Sequence, residues 1–142
     1  MYKLSKNTIF LVSLKAVIRR GNKILIVKSM FDNRWEMPGG FIDENESLTT
    51  ALKREIKEEV GLSSKVGKPL ETTAFWHKPK FKLNNKAYDA RIIVIAYKAT
   101  VSSDKIKLSE EHSDYGWVTI KELSKYPISR GSKFIVNHLL KN

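Results

Sequence analysis

Three glutamates crowd one short stretch of this chain, Glu55, Glu58 and Glu59 in "REIKEEVGL". The protein is basic overall, with 26 Lys and Arg against 15 Asp and Glu and a formal net charge of +11. Yet six of those acids fall within residues 39–62, GGFIDENESLTTALKREIKEEVGL, so this segment runs against the composition of the rest. On a wheel of about 100° per residue with Leu48 at zero, Ala51, Leu52 and Ile56 form one apolar stripe. Glu59 then falls at about 20°, Glu55 at about 340° and Glu58 at about 280°, on that stripe and its edge. Lys53 and Lys57 point the other way, toward solvent. Glu55 meets like charges at i+3 and i+4, which destabilises a helix. Half-burying the cluster adds desolvation and favours the protonated carboxyls. A hard divalent cation removes both penalties, because Mg²⁺ takes a few carboxylate oxygens together with water and substrate phosphates. The helix reads as one wall of a metal-filled cleft. Taken alone, "EIKEE" is also what an ordinary charged helix face looks like.

The elements that must hold this helix in place are legible from period and punctuation. Two apolar, β-branched runs, 8–19 and 23–28, flank "RGN" and predict a hairpin. Residues 31–46 carry "PGG", several acids and no clear period, which predicts loop with short extended pieces. A helical period covers 47–60, and Gly61 is placed to cap its C-terminus. Further strands are expected near 66–76, 90–100 and 114–119. Thr119 and Glu122 have capping-box spacing, so a short helix starts there. A last helix, about 130–140, would bury Ile135, Val136, Leu139 and Leu140. No internal repeat and no low-complexity segment interrupts the pattern. The chain reads as one domain with a mixed sheet and a few helices packed on it, an α+β or three-layer arrangement.

The spacing around the glutamates is specific. Gly40, five residues, Glu46, seven residues, Arg54-Glu55-Ile56, one residue, Glu58-Glu59, one residue and Gly61-Leu62 spell GX5EX7REUXEEXGU, with U aliphatic. At every specified position the chain resembles the signature of the Nudix hydrolases. "WEMPGG" is similar to that family's lead-in and "DYGWVTIKEL" to its closing strand and turn, so the resemblance spans about residues 8–140. It implies a Nudix-type α/β/α sandwich with a mixed β-sheet between helices. It also implies a phosphohydrolase that cleaves a phosphoanhydride bond in a nucleoside diphosphate derivative with Mg²⁺, or with Mn²⁺ in its place.

Carried onto this chain, the resemblance makes Glu55, Glu58 and Glu59 metal ligands, with the carbonyl of Gly39 adding a further one. Arg54 would orient Glu55 and Glu46 instead of touching substrate. The general base varies within the family, so two positions stay open: Glu58, preferred because its helix fixes it, and the loop acids Glu110 and Glu111 in "SEEH". His112 is a candidate acid or base, with a solvated loop residue as the favoured expectation, and His138 is expected to be structural. For the substrate, Trp35, Phe75 and Phe81 are candidate base-stacking residues and His77 a candidate phosphate contact. Trp35 packing beneath the loop is the competing reading. Pro79 lies near a position that flags ADP-ribose hydrolases, a weak signal.

Composition limits the remaining classes. With 42% hydrophobic and 29% charged residues the chain has the balance of a folded, soluble protein. The longest apolar stretch, "TIFLVSLKAVI", is broken by Lys15 and is too short to span a bilayer, so no membrane partner is expected. No secretory signal is evident, and cysteine is absent, which excludes disulfides, cysteine nucleophiles and thiolate zinc sites. A cytoplasmic nucleotide hydrolase is the expectation, with a nucleoside triphosphate as the leading substrate. An ADP-ribose or dinucleoside polyphosphate hydrolase is the alternative within the class. Binding or processing of an RNA 5′ end, suggested by the basic charge, and a non-catalytic regulatory module are the alternatives outside it. A homodimer is open.

Overall fold

The computed structural model describes residues 3–142. Its frame is a mixed sheet built on β1 (Thr8–Arg20) and β2 (Lys23–Ser29). The two strands meet only at the hairpin end, where Arg19 pairs with Ile24 and Arg20 with Lys23 around Gly21, whose φ of 60° suits a tight turn. Beyond that point they diverge. The fork between them is filled by the segment "WEMPGGF": β3 (Trp35–Glu36) pairs with β2, and β4 (Gly39–Phe41) pairs with β1. The short extended pieces expected within 31–46 are therefore two short strands wedged into the middle of the sheet.

After β4 comes helix α1 (Leu48–Val60), started by the Ser47 side chain accepting from Thr50 N–H and ended by Gly61 at φ 74°. Then follow β5 (Ser64–Trp76), β6 (Phe81–Leu83), β7 (Lys86–Val101) and β8 (His112–Thr119). β7 runs parallel to β1 and antiparallel to β5, while β8 flanks β2. A 3₁₀ turn, Lys121–Lys125, leads to helix α2 (Arg130–Lys141). The Thr119–Glu122 capping box is present: Thr119 N–H donates to Glu122 Oε1 at 3.1 Å and Glu122 N–H to Thr119 Oγ1 at 3.3 Å.

Strand alternation divides the core into two layers. Leu14, Ala16, Ile18, Leu25 and Val27 pack with Ala51, Leu52, Ile56 and Val60 of α1. Val17, Ile24, Ile26 and Ala96 pack with Ile135, Val136 and Leu139 of α2. The two helices thus cover opposite faces of a mixed sheet, the expected three-layer sandwich.

Several boundaries move. β5 starts at Ser64, β7 extends over Lys86–Val101 and β8 starts at His112. A small hairpin, β6 to β7, turns at Asn84 and Asn85 with φ of 50° and 63°. Asparagine tolerates the left-handed region nearly as glycine does, so the turn carries no glycine to announce it. Leu140, expected in the core, is 48% exposed. It lies about 140° from Ile135 on the α2 wheel, beyond the stripe centred between Ile135 and Val136. In the described chain no helix is long and apolar enough to cross a membrane.

Candidate active site

The glutamate-bearing face of α1 opens on a cleft of ≈ 590 Å³ lined by Gly39, Gly40, Glu55, Glu58, Glu59 and the loop acids Glu110 and Glu111. Arg54 organises it. Its Nε and Nη2 donate to the two oxygens of Glu46 at 2.6 and 2.8 Å, a bidentate pair. Its Nη1 donates to Glu55 at 3.0 Å and to Glu58 at 3.2 Å. One guanidinium therefore holds three carboxylates, and Glu46 is anchored in turn by the N–H of Asp43 at 3.1 Å. These four hydrogen bonds all go to carboxylates of its own chain.

The three helix glutamates meet different environments. Glu58 is exposed and Glu55 half-buried, whereas Glu59 is buried and accepts the backbone N–H of Gly39 at 3.1 Å. Burial raises the Glu59 carboxyl to about 7, against the lowering pull of Lys15 and of the Gly39 N–H. Burial also raises Glu55, opposed by Arg54 and reinforced by the charges of Glu58 and Glu111. Close backbone approach explains the glycines. A Cβ on Gly39 would lie 1.9 Å from the Leu14 carbonyl oxygen, and one on Gly40 would lie 2.7 Å from the Glu55 carboxylate.

Among the described residues, no group of three or more acidic or histidine side chains is gathered tightly enough to cage a metal ion. The donor chemistry nevertheless suits a hard cation. Carboxylates converge on one cleft, one of them buried and raised by desolvation, and Mg²⁺ needs only one or two protein carboxylates beside water and phosphate.

The segment 102–111 reaches this cleft because its backbone docks on the end of α1: Lys107 N–H donates to Val60 O at 3.0 Å and Ser109 N–H to Glu59 O at 2.9 Å. Glu111 is anchored where its carbonyl accepts from Met30 N–H at 2.9 Å. Both loop acids thus stand beside the helix glutamates despite the long separation in sequence.

A second cavity, ≈ 620 Å³, continues from Gly39, Gly40, Glu59 and Glu111 toward Phe75, His77, Ile92, Val94 and Arg130. Phe75 and His77 lie in its wall, and the Arg130 guanidinium sits 4.6 Å over the Phe75 ring. Phe81 stands behind them, edge-on to His77 at 5.7 Å and to Phe41 at 6.4 Å. Trp35 lines neither space; it packs edge-on against Tyr126 at 5.1 Å in the layer under α2.

Two cavity residues, Lys15 and Glu36, escaped the sequence reading, and His112 was placed wrongly. Lys15 is buried in β1, with Nζ 3.4 Å from Glu36 Oε2. His112 is buried too, its Nε2 3.2 Å from Glu36 Oε1, which corrects the expectation of a solvated loop histidine. The reason is that β8 starts at His112, paired with Ser29 across a bulge. Burial acts to raise Glu36, but Lys15 and then His112 pull it further down, below the ordinary carboxylate range. The available signal was Lys15 itself, a charge inside an otherwise apolar strand. His138 is structural as expected, Nδ1 3.1 Å from Glu71 Oε2 between α2 and β5.

Fold and site together define a three-layer sandwich that presents a carboxylate helix to a cleft beside a glycine-rich strand. A NUDIX domain model matches residues 10–138, and the chain belongs to the Nudix family. It is 30% identical over 129 residues to the 8-oxo-dGTP diphosphatase of Buchnera aphidicola subsp. Schizaphis graminum, covering 88% of this chain and 89% of that protein. Over 76 residues it is 37% identical to the RNA pyrophosphohydrolase of Pasteurella multocida, 54% of this chain but only 38% of that relative's length. The MutT protein of Methanosarcina mazei Go1 has the same fold, with a TM-score of 0.74 at 23% identity over 96% of this chain and 95% of that one.

Proposed function

We propose that this chain is a Mg²⁺-dependent pyrophosphohydrolase that cleaves a phosphoanhydride bond in a nucleoside triphosphate or a related nucleoside diphosphate derivative. The observation that carries this reading is the continuity of two spaces. The carboxylate cleft on α1 opens, through Gly39, Gly40, Glu59 and Glu111, into a cavity walled by Phe75, His77 and Arg130. An anhydride at the acidic end and a nucleoside against the aromatic end fit such a pair. The diphosphatase relative, similar over nearly the whole chain, supports the same class.

Glu55, Glu58, Glu59 and the carbonyl of Gly39 are the groups that would hold the metal. When bound, a divalent cation shields the phosphate oxygens and makes a bound water more acidic. The rest is the work of the chain. Arg54 fixes Glu55 and Glu58 in direction and keeps their mutual repulsion in check. Glu59, which burial raises to about 7, would have to give up its proton to serve as a ligand. A base must accept the proton of the attacking water. Glu111 is favoured over Glu58, because Arg54 already occupies a Glu58 oxygen whereas Glu111 borders both spaces. Nucleotide substrate and Mg²⁺ fit a cytoplasmic setting. The test is a panel of nucleoside triphosphates, ADP-ribose and dinucleoside polyphosphates with Mg²⁺, reading phosphate against pyrophosphate release. No release from any of them would overturn the reading.

The charge of +11 and the RNA pyrophosphohydrolase relatives favour one second reading, removal of pyrophosphate from a triphosphorylated RNA end. Its mark would be an affinity that falls steeply with salt, log against log, as several phosphate contacts release counterions. A free nucleotide gives a shallow slope.

A further inference from the structure

Lys15 is the one charged side chain of β1 between Thr8 and Ile18, and it is only 8% exposed. Its place is set by register. Lys15 pairs with Gly39 on β4, while Ser13 pairs with Phe41 and, across β1, with Val94. Leu11, Ser13 and Lys15 lie along one face of the strand, so the sequence passes from the apolar end of the second cavity, at Val94 and Ile92, to the end where Gly39 holds Glu59. The ammonium thus stands where the two spaces join.

It is also held there. Glu36 takes Lys15 on one oxygen and His112 on the other, at 3.4 and 3.2 Å, and His112 Nδ1 is 3.4 Å from Ser109 Oγ. An ammonium has three donors, and Glu36 is its one hydrogen-bond partner among the described residues. Burying a cation is costly, and a leucine or valine like its strand neighbours would fill this layer at no such cost. A cation kept at the junction, tethered on one side and facing the cavity with its other protons, suits an anionic oxygen of the ligand.

We propose that Lys15 is a substrate-binding residue that donates to the phosphate nearest the nucleoside, with Glu36 and His112 as positioning residues behind it. This rests on the nucleotide reading above. The phosphate next to the nucleoside is the one that must sit between the aromatic wall and the carboxylate cleft, which is where Lys15 stands.

The test uses the full chain without metal, so that loss of cation binding does not enter. Binding of the four common deoxynucleosides and their 5′-monophosphates is followed by NMR titration up to millimolar ligand, and the best-binding pair is carried into variants. Wild type should prefer the monophosphate to its nucleoside by about tenfold or more, the size of one charge-assisted hydrogen bond. Lys15→Met should abolish that preference while leaving nucleoside affinity within about twofold, and Lys15→Arg should keep part of it. If Lys15→Met does not fold because Glu36 is left without its cation, Lys15→Met with Glu36→Gln carries the same comparison. An unchanged preference in the Met variant, or an equal loss for nucleoside and monophosphate, overturns the assignment and leaves Lys15 as the structural partner of Glu36. If wild type binds neither member of any pair, the nucleotide reading falls, and this inference with it.

Discussion

Glu59 Oε2 accepts the backbone N–H of Gly39 at 3.1 Å, tying the last turn of α1 to the short strand wedged between β1 and β2. The bond explains why a carboxylate sits on the core side of its helix. It also fixes how the acidic cleft and the sheet are aligned, since Gly39 is the register partner of Lys15 on the central strand.

Removing metal should expose the cost of burying Glu59. Unfolded, the carboxyl titrates near 4.5; folded and metal-free, burial raises it to about 7. Its contribution to stability is therefore present at low pH and lost as pH rises through about 7, where the folded state must ionise a buried acid. His112, also raised, acts with the same sign, so the informative quantity is the difference between wild type and Glu59→Gln. In EDTA the wild-type Tm should fall between about pH 5 and 8 more steeply than that of the variant. Millimolar Mg²⁺ or Mn²⁺ at pH 8 should raise the wild-type Tm and barely move that of Glu59→Gln. Parallel pH curves, or no metal-dependent shift, would contradict the assignment of Glu59.

Two adjacent glycines should fail in different ways. A Cβ on Gly39 meets the backbone of Leu14, which cannot swing aside, so Gly39→Ala should push β4 off β1 and cost about 2–3 kcal/mol by overpacking. A Cβ on Gly40 meets the Glu55 carboxylate, the end of a flexible side chain. Gly40→Ala should keep most of the stability and lose turnover and metal affinity. Urea unfolding and a Mg²⁺ titration on both variants would separate them, and equal stability losses would count against this account.

Arg54 tests whether one guanidinium is needed to hold Glu46, Glu55 and Glu58 at once. Lysine keeps the charge but has no planar fork and cannot serve both Glu46 oxygens and the helix acids together. Arg54→Lys should therefore lose kcat nearly as fully as Arg54→Ala, with stability lowered by only about 1 kcal/mol because the network is partly open to water. Wild-type kcat in the lysine variant would show that charge alone suffices.

The helix, its C-terminal cap, its buried stripe and the glutamate spacing were legible in the sequence because each depends on neighbours within a few residues. Gly61 and the period of Leu48, Leu52 and Ile56 are local signals, and so is the Thr119–Glu122 box. What escaped depends on pairing at a distance. Short extended pieces were expected around "WEMPGG", but their partners were not, because only the divergence of β1 from β2 makes room for them. The burial of His112 follows from the bulge at Ser29, and the link of Lys15 through Glu36 to His112 joins three strands. The Asn84-Asn85 turn was missed for a different reason, its left-handed residues being asparagine and not glycine.

The identity of the general base separates Glu58 from Glu111. Helix attachment made Glu58 the natural choice from sequence, since a loop carboxylate depends on how the loop folds. The loop proves to be docked, through Ser109 on Glu59 and Glu111 on Met30, so that objection is removed. Glu58 meanwhile is bound by Arg54 at 3.2 Å, and its side chain is 58% exposed. One oxygen of Glu58 is thus already taken by a donor, whereas no side-chain partner holds Glu111 among the described residues. Glu111→Gln should lower kcat by about 10²–10⁴-fold, the usual size for a lost general base, and recover in part as hydroxide replaces it at high pH. Its Mg²⁺ affinity should change little. Glu58→Gln should instead weaken Mg²⁺ binding, and at saturating Mg²⁺ its kcat should stay within about tenfold of wild type, below the range for a lost base. Glu110→Gln should be nearly silent, as that residue borders only the acidic cleft. A kcat collapse in Glu58→Gln at saturating metal, with Glu111→Gln close to wild type, would return the role of base to the helix.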